Sequence, residues 1–215
     1  MMDELDLLKK DWQNKEEHLP KLSYNELYNM IWKKSSSIVK WILIISILEF
    51  VLPHFLYLLP STREGLSIYT GDGFSRYLLA ATAIQYSVIF YFIYQFYKRY
   101  QEISVLDDAK SLMKKILKTR RTVKHYVIFS LSMILFTFLL VALGIYLNND
   151  FINNFPMRPE VDGLPEGQLK IILMVTMIIT GVVMVIIFGT IYFFLYGRLI
   201  RKLKRNYKEL KKLEV

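Results

Sequence analysis

Apolar residues fill four stretches of the chain, residues 41–60, 77–97, 125–147 and 171–197, and Glu49 is the single Asp, Glu, Lys or Arg inside them. Each stretch reaches the roughly 20 residues that a helix needs to cross about 30 Å of hydrocarbon. Within hydrocarbon, every backbone polar group must be satisfied inside its own segment or a closed barrel. The pattern therefore predicts an all-α fold, a four-helix transmembrane bundle.

The polar segments between the spans carry a periodicity of their own. Ser23 and Glu26 form an S-x-x-E capping box, with Leu22 and Leu27 placed as a hydrophobic staple. The helix they start has Tyr24, Leu27, Met30, Ile31 and Ile38 on its apolar side, and Lys33 and Lys34 beside the headgroups. No Gly or Pro interrupts it before Pro53, so one helix is expected over 24–52. Pro53 removes a backbone donor, frees the carbonyl of Glu49 and predicts a kink there. In the middle loop Asp107 can cap a helix striped by Leu112, Met113, Ile116 and Leu117 that runs into the third span. Residues 198–215 extend the fourth span, with Leu199, Leu203, Leu210 and Leu213 among basic residues. Helical stalks thus project from the spans on one side. Residues 61–76, with Gly65, Gly71 and Gly73, and 148–170, with Pro156, Pro159, Pro165, Gly163 and Gly167, read as turn-rich connections.

Two parts are expected: residues 1–22 and a four-span domain over 23–215. The first part reads as an amphipathic helix with Leu5, Leu8 and Trp12 on one face, ending at Pro20. Up to Pro20, six acids against Lys9, Lys10 and Lys15 give this helix a net charge of −3, which an anionic membrane repels. Either it packs on the chain's own basic loops, or Leu5, Leu8 and Trp12 dock into a groove on a protein partner.

Charge then sets the orientation. Residues 1–40 hold seven Lys and Arg, 98–124 hold nine and 198–215 hold eight, against Arg63 and Arg76 in one connection and Arg158 and Lys170 in the other. Short Lys/Arg-rich loops stay on the cytoplasmic side, which puts both termini and the middle loop in the cytoplasm. The net charge of +9 follows from this topology, so no nucleic-acid partner is expected. Anionic lipid headgroups are, since they attract juxtamembrane Lys and Arg by about 1 kcal/mol each. The first 19 residues lack an apolar core, so a cleavable signal peptide is not expected and the first span is read as the insertion signal.

Candidate chemistry is sparse. The absence of cysteine excludes disulfides and thiol catalysis, and no G-x-S-x-G, Walker loop or H-E-x-x-H occurs. Glu49 lies about 13 Å beyond Lys40 along its helix, and an intramembrane carboxyl is a functional-site hypothesis by default. His54 on the same span, Gln85 at similar depth on the second, and Tyr57 are its expected neighbours. Glu49, His54 and Gln85 form either interhelical glue or a proton- or ion-handling cluster. The histidines, His18, His54 and His125, are spread along the chain, and neither metal nor cofactor is expected. Ala80, Ala81, Ala83, Gly144, Thr180, Gly181 and Gly189 are small enough for close helix approach. The stripe Tyr86, Phe90, Tyr91, Tyr94 and Tyr97 reads as core or interfacial belt.

The opening Met2-Asp3-Glu4-Leu5-Asp6-Leu7-Leu8-Lys9-Lys10-Asp11-Trp12, the stretch Lys33-Lys34-Ser35-Ser36-Ser37-Ile38-Val39-Lys40-Trp41-Ile42 and the closing Lys202-Leu203-Lys204-Arg205-Asn206-Tyr207-Lys208-Glu209-Leu210-Lys211-Lys212 resemble a family of four-span inner-membrane proteins of flavobacteria-like bacteria. The resemblance implies a multi-pass protein of the bacterial inner membrane. Some members of that family carry a carotenoid-oxygenase label. The histidines of this chain give the label no support, because iron in such chemistry takes several imidazoles.

Two classes of function follow, with an enzyme third. One is a non-enzymatic regulatory or scaffold protein presenting its cytoplasmic helices to a partner, as membrane-bound anti-sigma factors do. The other is a small transporter or channel subunit with Glu49 and Gln85 on its path, which with four spans implies a homo-oligomer. The Lys/Arg asymmetry gives a direct prediction of topology. Reporter fusions after His18, Lys115 and Val215 read cytoplasm and fusions near Gly71 and Gly163 read the outside; an external C-terminus overturns the four-span arrangement.

Overall fold

The computed structural model describes residues 23–56, 75–104, 108–147 and 165–213. They form four helices: α1 Tyr24–Leu56, α2 Ser75–Ser104, α3 Ala109–Leu147 and α4 Glu166–Leu213. No strand occurs among the described residues. All four helices are long and apolar enough to cross a membrane. The 48 residues of α4 extend about 70 Å, more than twice the thickness of the hydrocarbon. Spans and stalks are therefore single continuous helices, as the lack of breakers implied.

Local signals start these helices. The Ser23 backbone N–H donates to Glu26 Oε2 at 2.8 Å, and the Glu26 N–H donates back to Ser23 Oγ at 3.3 Å. This is the reciprocal capping box. At α3 the cap is Asp108 rather than Asp107: Asp108 Oδ2 accepts from the Ser111 N–H at 3.3 Å, and its carbonyl from the Leu112 N–H at 3.0 Å. Two adjacent aspartates have equal capping propensity, so the backbone geometry decides between them. Asp107 itself, residues 1–22 with Leu5, Leu8, Trp12 and Leu22, Tyr57, and residues 61–74 and 148–164 of the two connections lie outside the described residues, while α2 and α4 begin at Ser75 and Glu166, inside the stretches read as connections. α1 passes through Pro53 and ends at Leu56.

Each helix packs against its sequence neighbours, and α4 closes the ring against α1. The pairing is antiparallel throughout. Trp32 meets Ile103 while Phe50 meets Phe90. Lys115 meets Glu102 while Phe92 meets Phe129. Ser35 meets Asn206 while Glu49 meets Tyr196. The α3–α4 contact is the most extensive. It is tightest at Gly181, where the α4 backbone lies against Phe138.

The main core sits at the basic end, in the stalks and the adjoining turns of the apolar spans. Ile31, Val39 and Ile42 of α1, Ile103 of α2, Leu112, Ile116 and Val123 of α3, and Leu203 and Leu210 of α4 are fully or almost fully buried there. Inward positions recur at steps of three and four: 31, 35, 39, 42 and 46 on α1, 92, 96, 99 and 103 on α2, and 109, 112, 116, 119, 123 and 126 on α3. A sustained repeat near 3.5 residues produces knobs-into-holes packing of a left-handed bundle. A smaller core of Val141, Ile145, Leu169 and Leu173 closes the opposite end.

Polar ties fix the stalks. The last carbonyls of α2 have no partner within their own helix, and side chains from neighbouring helices reach them. Trp32 Nε1 donates to the Ile103 carbonyl at 2.8 Å and Lys115 Nζ to the Glu102 carbonyl at 2.6 Å. Arg99, 5% exposed, pairs with Glu102 and with Gln95 Oε1. Asn206 Nδ2 donates to Ser35 Oγ at 3.0 Å between two fully buried side chains.

The two glycines of α4 that face α3 differ in a way that a substitution can read. A Cβ on Gly181 would stand 2.7 Å from the Cβ of Phe138, whereas one on Gly189 would stand 3.9 Å from a Leu131 methyl. Gly181→Ala should destabilise the purified protein in detergent by about 1–3 kcal/mol through overpacking. Gly189→Ala should leave the melting temperature unchanged, and equal melting temperatures for the two variants would refute this packing.

Candidate functional site

Glu49 lies one step further along the buried stripe of α1, three residues after Ser46, and so turns toward the bundle interior. Tyr126 is the next member of the α3 repeat after Val123, and Tyr196 stands seven residues before Leu203 on α4. Three helices thus bring one carboxyl and two phenols together by the repeat that packs the stalks. The Tyr126 hydroxyl donates to Glu49 Oε2 at 2.6 Å and the Tyr196 hydroxyl donates to the same oxygen at 3.1 Å. Glu49 Oε1 is buried with no partner among the described residues.

Aromatic rings enclose this group. Tyr126 stacks edge-on against Phe96 at 5.4 Å, Phe92 at 5.5 Å and Tyr196 at 5.9 Å, with Tyr192 beside them. Phe96, Tyr126 and Tyr196 are buried. Such edge-to-face pairs add about 0.5–1.5 kcal/mol each beyond the area they bury. In a dry surround of this kind, hydrogen bonds to a carboxyl are electrostatically stronger than in water.

The expected cluster of Glu49, His54 and Gln85 does not assemble. Gln85 makes no hydrogen bond to Glu49, whose bonds go to α3 and α4 instead. His54 is one helical turn after Phe50, on the side of α1 that faces α2. Its Nδ1 lies 2.6 Å from the Phe50 carbonyl oxygen, and its ring packs on Phe50 and Tyr86. Depth along a helix was the basis for grouping the three residues, and depth does not fix which way a side chain turns. The signal that finds Tyr126 and Tyr196 is the three–four spacing. Arg99 was missed for the same reason: counted only as a basic residue near the membrane, it occupies an inward position of the α2 repeat.

Chemically the site is one carboxyl with two hydroxyl donors. It can tie three helices together, and it can hold or exchange a proton. It lacks the second carboxyl of an acid–base pair, and among the described residues no three of His, Cys, Asp and Glu come within reach of a common metal.

A family defined as a domain of unknown function, DUF8845, matches residues 25–215. The chain belongs to this family. The matched region takes in all four helices save Tyr24, together with Glu49, Tyr126 and Tyr196, so the DUF8845 unit is the four-helix body itself. It leaves out residues 1–24. No curated protein and no solved structure matches the chain.

The geometry predicts an energetic coupling. In a double-mutant cycle of Glu49→Leu with Tyr126→Phe, the two changes should be non-additive by about 1 kcal/mol, measured as unfolding free energy in mixed micelles. Gln85→Leu should be additive with Glu49→Leu. Coupling to Gln85 and none to Tyr126 would reverse the assignment.

Proposed function

We propose that this DUF8845 protein is a non-enzymatic regulatory or scaffold protein of the bacterial inner membrane, with its basic end in the cytoplasm. It presents a four-helix stalk, and the acidic segment 1–22 attached to it, to a cytoplasmic protein. The observation that carries this reading is the place of the core. Below Glu49 the bundle axis is filled by Phe96, Val39, Ile42, Val123, Ile116 and Leu203, all with little or no exposure. These apolar layers, with Ser46, Thr119 and the Ser35–Asn206 pair buried between them rather than lined up as a polar path, oppose conduction, because ions and protons need polar groups or water along the whole path. They do make a rigid platform. Lys and Arg counts support the orientation, and the Leu5, Leu8 and Trp12 face supports docking in the helix-in-groove mode. The anti-sigma plan remains an analogy of layout. A carotenoid-oxygenase activity is no part of the proposal, since the described histidines, His54 and His125, are on separate helices and no ligand cluster accompanies them.

One observation favours transport as the second reading: Glu49 Oε1 is buried without a partner among the described residues, which is a feature of sites that bind a proton or cation transiently. The two readings separate in one pair of experiments. Purified protein in liposomes should pass neither protons nor monovalent ions, in the wild type and in Glu49→Gln alike. Crosslinking in native membranes should capture a defined cytoplasmic protein, and Leu8→Glu with Trp12→Ala should abolish that capture at unchanged membrane abundance. Wild-type flux that vanishes in Glu49→Gln would establish transport and sink the scaffold.

A further inference from the structure

On the outer surface of the α3–α4 pair, where the third span begins and the fourth ends, lies an open groove of about 830 Å³. Its rim is basic, carrying Arg120, Arg121, Lys124 and His125, and among the described residues no acid lines it. Deeper in, its walls are Ile128, Tyr192, Phe193 and Gly189. The rim lies on the α3 turns that lead into the third span, and Gly189 lies two turns before Tyr196 within the fourth, so the groove reaches about 10 Å into the apolar layer. Positive charge at the headgroup level and an apolar trough beneath it reproduce the division of a phospholipid into phosphate and acyl chain.

Two details point to an occupant from the bilayer. Arg120 Nε is buried and has no partner among the described residues, although a guanidinium presents five donors that match phosphate oxygens. Gly189 leaves the trough open, with only the methyls of Leu131 at the edge of van der Waals distance from a Cβ placed there. On the far wall Arg201 lies over the Phe193 ring at 5.2 Å, adding a further positive charge beside the groove. Basic pockets between transmembrane helices are a recurrent way of holding anionic headgroups.

We propose that this groove is a specific site for one anionic phospholipid of the leaflet on the basic side. Arg120, Arg121 and Lys124 take the phosphate, and an acyl chain lies along Gly189, Ile128 and Phe193. The site does not depend on the scaffold reading, because it concerns a different face of the bundle.

Delipidated full-length protein in detergent, titrated with phosphatidylglycerol, phosphatidylcholine or inorganic phosphate and followed by native mass spectrometry, tests the site. Wild-type protein should retain one phosphatidylglycerol at least about tenfold more tightly than phosphatidylcholine. Arg120→Gln with Lys124→Gln should remove that preference. Neither substitution breaks a hydrogen bond within the described chain, and an unchanged melting temperature verifies the fold. Gly189→Leu, which fills the trough and leaves the rim intact, should weaken phosphatidylglycerol retention. Equal retention of the two lipids, or a preference that survives the double substitution, overturns the proposal. So does inorganic phosphate that binds as tightly as the lipid, since the rim alone would then account for recognition.

Discussion

The hydrophobic effect acts on this bundle at its basic end and fades where lipid begins. Lipid tails are as apolar as leucine, so two helices in a bilayer gain little by burying leucine against one another. In water the same contact removes apolar surface from solvent at roughly 25 cal/mol per Å². The pattern of burial follows this difference. Ile31, Val39, Ile103, Leu112, Ile116, Leu203 and Leu210 are sealed within the stalk, whereas Leu52, Phe90, Ile128, Ile186 and Phe193 turn outward in the spans. Within the apolar layer, cohesion comes from close backbone approach at Gly181, from the polar contact at Glu49 with the rings around it, and from the smaller core at Val141 and Ile145.

A repeat of apolar residues alone tolerates sliding by one heptad, and polar members placed within it resist that. Ser35 pairs with Asn206 and Glu49 with Tyr196, both between α1 and α4. Two separated polar ties between one pair of helices fix their axial register, because a shift that satisfied one would have to satisfy the other. Trp32 and Lys115 add ties from α1 and α3 to the end of α2. A hydrogen bond between buried groups contributes little net stability, but leaving its donor unmatched costs about 1–3 kcal/mol. These contacts therefore act mainly by penalising wrong registers.

Local features of the sequence were legible because they are decided locally. The capping box at Ser23, the absence of breakers between stalk and span, and the lengths of the apolar stretches each depend on a few consecutive residues. The partners of Glu49 depend instead on rotation about the helix axis. Depth counted in residues placed it beside Gln85 and His54; the three–four spacing from Ile31 through Ser46 turns it toward α3 and α4. Gly181 and Gly189 look alike in sequence, and only the position of Phe138 separates a closed contact from an open trough. Arg99 contributes to the basic tally that orients the chain, yet its guanidinium is buried against Gln95 and Glu102. Charge counting cannot distinguish a cation facing headgroups from one held inside the bundle.

Tyr196 stands between the interior site and the lipid-facing groove. Its hydroxyl holds Glu49, while its ring lines the wall of the groove. Tyr192, one turn away, touches both the Tyr126 ring and the same groove. The two faces of α4 at this level are therefore one rigid object, since side chains a turn apart on a helix move together when it rotates. Any rotation of α4 that altered the groove would also lengthen the bond from Tyr196 to Glu49. The polar tie in the interior thereby limits the shapes available to the surface outside, and the stalk core, continuous with both through Leu203 and Leu210, holds α4 in the rotation that satisfies them.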